Sequence, residues 1–150
     1  MTTPANAHPR HSLEILLGGK RVLQARPRTP LDWVSLIRQG ISSAAVDALA
    51  GTIHLTQSEL AAALGIPERT LARRKKEGTL SSEESAKLVR LARVVERAEE
   101  VFENLDAALG WLKSPNAALT GATPLSLLDT DIGAESVLDT LGRIEHGVFA

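Results

Sequence analysis

QSELAAALGIPERTLARRKKEG, residues 57–78, decides how the rest of the chain is read. Set against the twenty-position helix-turn-helix pattern from Gln57, Leu60 falls fourth, Ala61 fifth, Leu64 eighth, Gly65 ninth, Ile66 tenth and Leu71 fifteenth. Each match has a physical reason: the fifth position is small because two helices cross there, the ninth accepts a left-handed turn, and the others fill a small core. The eighteenth position, where an apolar residue is expected, is Arg74. At 100° per residue, Arg69, Arg73 and Lys76 share one stripe of the second helix, with Thr70 and Arg74 beside it and Leu71 facing away. Guanidinium groups pair with guanine edges or phosphates and a small hydroxyl permits close approach, so these five residues are the candidate DNA contacts. A solvated basic face, or one paired with the acidic back half of the chain, is the alternative.

Turn chemistry extends the helical reading in both directions. Thr56 and Glu59 form a capping box before this motif, Gly65 and Gly78 end its two helices, and Pro67 suits the first turn of the second. Upstream, Thr29 and Pro30 start a helix to Gly40 with Leu31, Val34, Leu36 and Ile37 at helical spacing, and another runs from Ser42 or Ser43 to Ala50, closed by Gly51. Downstream, SSEE caps a long helix from about Ser82 to Glu103 with Leu88, Leu91, Ala92 and Val95 on one stripe. Further helices are predicted at Leu105–Leu112 and Ala134–His146, with a turn at Pro124–Leu128. No segment alternates as a strand, so the fold class is all-α. Residues 1–12 read as a flexible tail, 13–81 as the helix-turn-helix domain, 82–104 as a connecting helix and 105–150 as a small helical C-terminal domain.

Charge is divided along the chain although the net value is -1. Residues 1–95 carry 14 basic and 8 acidic side chains, and residues 96–150 carry 3 and 10. Such polarity indicates two partners of different chemistry or attraction between the halves. The absence of cysteine removes thiolate chemistry and fits a reducing cytoplasm. Neither a signal peptide nor a membrane span is expected from the hydropathy pattern. Histidines 8, 11, 54 and 146 are scattered, LLGGKR has the wrong spacing for a phosphate loop, and Asp129 and Asp131 read as caps. No catalytic constellation, metal site or cofactor site is expected.

The back half carries a long spaced pattern. It comprises W-L-x-x-P-N-x-A-L-x-G-x-x-P-L-x-L-L-D-T from Trp111 to Thr130 and a closing G-R-I-E-x-G from Gly142 to Gly147. Together with Arg69, Thr70, Leu71, Arg73 and Arg74, these blocks resemble the Xre/ParS/MbcA antitoxins over roughly residues 30–150. The resemblance implies a dimer that represses its own operon through operator DNA and neutralises a RES-domain toxin that consumes NAD or transfers ADP-ribose from it. It further implies that the C-terminal end enters the toxin's active-site cleft. In this chain that end is Arg143, Ile144, Glu145, His146, Gly147, Val148, Phe149 and Ala150. A solitary transcription regulator with a dimerising or sensing C-terminal domain is the alternative. Trp111, Pro115, Asn116, Leu125, Leu127 and Leu128 are expected to be core and turn residues.

Overall fold

A computed structural model describes residues 10–147. Residues 1–9 of the expected tail, His8 among them, and Val148, Phe149 and Ala150 lie outside the described residues. Local rules account for most of the helices. Ser12 caps α1 (Leu13–Leu16), which a left-handed Gly18 separates from α2 (Gly19–Leu23). Thr29 and Asp32 form a capping box at the start of α3 (Pro30–Gln39), and α4 spans Ala44–Ile53. The Thr56–Glu59 box opens α5 (Gln57–Leu64), and Gly65, at φ 70°, ends it. Then come α6 (Glu68–Glu77), stopped by left-handed Gly78, and α7 (Ser82–Phe102), opened by a reciprocal Ser81–Glu84 box. Asn104 caps α8 (Leu105–Leu112), and Thr130 caps α9 (Asp131–Glu145). Between these last two lie 3-10 turns at Ala117–Leu119 and Pro124–Leu127.

The long helix α7 is the axis of the molecule. Leu88, Leu91, Ala92, Val94, Val95 and Ala98 are buried, so both faces of α7 are covered and the halves share one core. Helices α1, α3 and α5 pack on it from the front, and α8 and α9 from the back. Loops close the front: the Leu80 amide donates to the Ile41 carbonyl at 2.9 Å, and the Ile41 amide to the buried Ser85 hydroxyl at 2.8 Å. In the back, Trp111 tilts against Phe102 with ring centroids 5.8 Å apart. Leu128 is buried, Leu125 and Leu127 are partly so, and the Asn116 side chain accepts the Ala118 amide, as core and turn residues should. Pro115 is exposed.

Several boundaries and faces depart from expectation. Helix α4 runs through Gly51, whose Cβ position is open, and ends where His54 takes the left-handed conformation at φ 56°. Leu31 and Val34 face outward, at 75% and 36% exposure, while Trp33, Leu36 and Ile37 pack inward. Helix α9 begins three residues before Ala134, because Thr130 supplies the cap. Its Gly133 is sterically enforced: a Cβ there would lie 1.8 Å from the Leu127 carbonyl oxygen. The flexible reading does not extend to His11. Its amide donates to Glu99 Oε1 at 2.8 Å and its Nδ1 lies 3.0 Å from Glu99 Oε2, so this residue is fastened to α7.

Candidate nucleic-acid and partner interfaces

In the front half, helix α6 touches the core through one residue, Leu71, which is fully buried. Ala61 is buried where α5 and α6 cross, and Gly65 supplies the left-handed turn between them. Arg69, Arg73 and Lys76 are exposed, and Thr70 is half-buried beside them. The stripe read from helical spacing therefore exists as a free basic face. Its nearest acidic neighbour is Glu77, whose carboxylate lies 4.0 Å from Arg73 Nε. The neighbouring Lys75 is held differently, 2.9 Å from Asp47 on α4.

Arg74 is paired within the chain. Its Nε donates to Glu84 Oε1 and its Nη1 to Glu77 Oε1, both at 2.8 Å. Burial pushes the Glu84 carboxyl upward, but the Arg74 guanidinium and the Ser81 donors outweigh it and hold the group below the ordinary carboxylate value. The helix-turn-helix pattern wants an inward side chain at this position. Here the inward side chain is a cation matched to a buried carboxylate on α7, which explains the apparent mismatch and leaves Arg74 more engaged than the other candidate DNA contacts.

At the other end of the molecule, α9 buries Ala134, Val137, Thr140 and Leu141 against α7 and the 3-10 turns. Arg90 on α7 fixes its start, with Nε on the Leu128 carbonyl at 3.1 Å and Nη1 on Asp131 at 2.6 Å. Arg97, two turns further along α7, fixes its end through two hydrogen bonds to Glu145, at 2.6 and 3.0 Å. The guanidinium hydrogen bonds hold the Glu145 carboxyl below its ordinary value. Arg143 borders an open groove of about 350 Å³ with Thr120, Ser136 and Asp139. Ile144 is half-buried, and His146 and Gly147 are exposed. The predicted C-terminal set therefore divides: Glu145 is engaged within the chain, whereas Arg143, His146 and Gly147 are available.

Neither Arg90 nor Arg97 was singled out by sequence reasoning, because Asp131 and Glu145, the α9 partners that give them this role, lie 41 and 48 positions away and no spacing rule connects them. Lys113 is a third such residue. Its ammonium donates to the carbonyls of Ile53 and His54 at 2.9 and 3.4 Å, so α8 caps the C-terminal end of α4. Among the described residues no group of His, Asp and Glu could hold a metal ion, and no helix is long and apolar enough to cross a membrane.

A helix-turn-helix with an exposed basic second helix, joined through one long helix to a small acidic helical domain, defines a two-sided binding protein. Residues 32–93 match the antitoxin Xre-like helix-turn-helix domain, and residues 97–147 match the antitoxin Xre/MbcA/ParS C-terminal toxin-binding domain. The chain belongs to this Xre family of antitoxins. It is 36% identical over 119 residues to the Antitoxin Xre of Yersinia enterocolitica, covering 78% of this chain and 80% of that protein. Identity is 32% over 118 residues with the Antitoxin Xre of Photorhabdus laumondii, covering 77% and 80% respectively. A Sphingobium protein named Prs ADP-ribosylating antitoxin is 28% identical over 132 residues, covering 81% and 83%.

Proposed function

We propose that this antitoxin neutralises a RES-domain toxin, one that consumes NAD or transfers ADP-ribose from it, by inserting the end of its C-terminal domain into the toxin's active-site cleft. The observation that carries this reading is the placement of residues 97–147. That segment matches a toxin-binding domain, and exposed Arg143 in the last turn of α9 is followed beyond the helix by exposed His146 and Gly147. The name of the Sphingobium relative joins antitoxin to ADP-ribosylation and supports the same chemistry. No turnover by the chain itself is involved; occupancy of the cleft is the mechanism. Co-expression with an adjacently encoded RES-domain protein is expected to give a copurifying complex and preserve cellular NAD. Removal of residues 146–150 is expected to abolish that protection while the chain still folds. Full protection by the truncated chain would refute insertion of the end.

The same antitoxin is proposed to repress its operon through α6, with Arg69 and Arg73 reading base edges, Thr70 allowing close approach and Lys76 holding phosphate. An operator partner implies action in the cytoplasm. A second copy is required to span two half-sites about one helical turn apart, and the outward Leu31 and Val34 on α3 are proposed to serve that pairing. Replacing Arg69 and Arg73 with alanine should weaken operator binding by about 1–3 kcal/mol for each lost bidentate contact and leave NAD protection unchanged. Joint loss of both activities would contradict the division of roles.

A further inference from the structure

We propose that Arg97 is a positioning residue for toxin neutralisation: its two hydrogen bonds to Glu145 fix the direction in which His146 and Gly147 leave α9. This inference rests on the proposed insertion of the C-terminal end. The clasp stands at the last residue of α9 and joins it to α7, the helix on which both halves of the core are packed. Glu145 is poorly placed for helix stability alone, because a carboxylate in the last turn meets the negative end of the helix dipole. The two hydrogen bonds from Arg97 offset that disadvantage, and their fork geometry constrains orientation as well as distance.

The surroundings of the clasp strengthen the assignment. Glu100 also accepts from Arg97, so the guanidinium is held from its own helix while it holds α9. Beyond Glu145 only the backbone amides of His146 and Gly147 are tied back, to the Gly142 and Ile144 carbonyls at 3.1 Å each, while both residues are exposed and Gly147 takes a left-handed turn at φ 73°. Arg97 therefore holds Glu145, the residue immediately before the segment whose direction matters. An end ordered before binding loses less conformational freedom when it enters a cleft, so a fixed exit direction favours tighter inhibition without a new contact to the toxin.

The experiment uses the full chain and an adjacently encoded RES-domain protein, with inhibition of NAD consumption titrated in vitro. Arg97→Ala and Glu145→Arg are each expected to raise the inhibitory concentration at least tenfold, with helical content retained. In Arg97→Ala, amide exchange at residues 144–147 should accelerate at least tenfold while α5 and α6 are unchanged, a readout that general destabilisation would not give. The exchanged pair Arg97→Glu with Glu145→Arg should recover inhibition to within about threefold of the parent. A chain lacking residues 146–150 separates the two ideas. If it fails to inhibit while Arg97→Ala inhibits like the parent, positioning by Arg97 is wrong and insertion of the end stands. If the truncated chain inhibits fully, insertion itself fails. An exchanged pair as weak as either single variant would also overturn the clasp.

Discussion

Helices α6 and α9 face outward in opposite ways. Helix α6 buries one side chain and presents a face; α9 buries four and presents an end. On α6, Arg74 and Lys75 are paired with Glu84 and Asp47, whereas Arg69, Arg73 and Lys76 stay exposed, with only Glu77 at 4.0 Å from Arg73. Helix α9 is tied to α7 by two arginines, at its first and last residues. A groove of DNA needs a row of unengaged donors, whereas a cleft in a protein needs one segment arriving at one angle. The opposite net charges of the two halves follow the same division.

The rigidity of the back half can be broken most directly at Gly133. A Cβ at 1.8 Å from the Leu127 carbonyl oxygen meets backbone, so no side-chain rotation relieves it. Gly133→Ala is expected to destabilise the chain by about 3 kcal/mol, at the upper end of ordinary overpacking. Thermal unfolding checks this, and an unchanged midpoint would show that the turn before α9 yields easily.

Gly65 tests the junction between the halves. It needs the left-handed conformation at φ 70°, and a Cβ there would meet Asp129 Cβ at 3.2 Å. Gly65→Ala should cost about 1–2 kcal/mol in chemical denaturation, less than Gly133→Ala, because the contact at 3.2 Å is far less severe than one at 1.8 Å. If the turn also sets the approach of α6 to DNA, operator affinity should fall in the same variant.

What was legible in the sequence was what is local. The Thr56–Glu59 and Ser81–Glu84 boxes and the glycine stops at Gly65 and Gly78 involve neighbours three or four positions apart, and each was found where it was expected. The free stripe of Arg69, Arg73 and Lys76 follows from helical spacing alone. What failed depended on the rest of the fold. Periodicity marked Leu31 and Val34 as apolar but carried no information on whether anything covers them. Gly51 looked like a stop, yet the chain has room there and turns at His54 instead. Arg74, Arg90, Arg97 and Lys113 take their roles from partners that only packing brings near. Val148, Phe149 and Ala150 remain assigned by resemblance.

The contrast between engaged and free arginines sharpens with pH. Glu84 has a folded value below its ordinary 4.5, so its contribution to stability is present above about pH 4.5 and is lost as pH falls through the lowered folded value. Arg74→Ala should lower the unfolding midpoint at neutral pH, by less than Gly65→Ala, and flatten the acid limb below pH 4.5. Arg69→Ala should move neither, although it weakens operator binding. An Arg74 variant that kept its stability but lost operator affinity would place this residue among the DNA contacts.

The smallest effect is expected at Lys113, and it asks whether the front half needs the back. Its ammonium meets two carbonyls at the C-terminal end of α4, where the helix dipole favours a cation and where unpaired carbonyls would otherwise need water. Methionine keeps the length of the stem and removes the donors, so Lys113→Met should cost roughly 0.5–1 kcal/mol, the range for one hydrogen bond at a partly wet site. Helix α4 also carries Asp47, the partner of Lys75 on α6. If the cap only adds stability, the variant melts slightly earlier and binds operator as before. If α4 needs the cap to hold Lys75 away from the reading face, operator affinity should change more than the small loss of stability explains. That second result would show that α8 steadies the DNA-binding surface, and that the basic and acidic halves work as one unit.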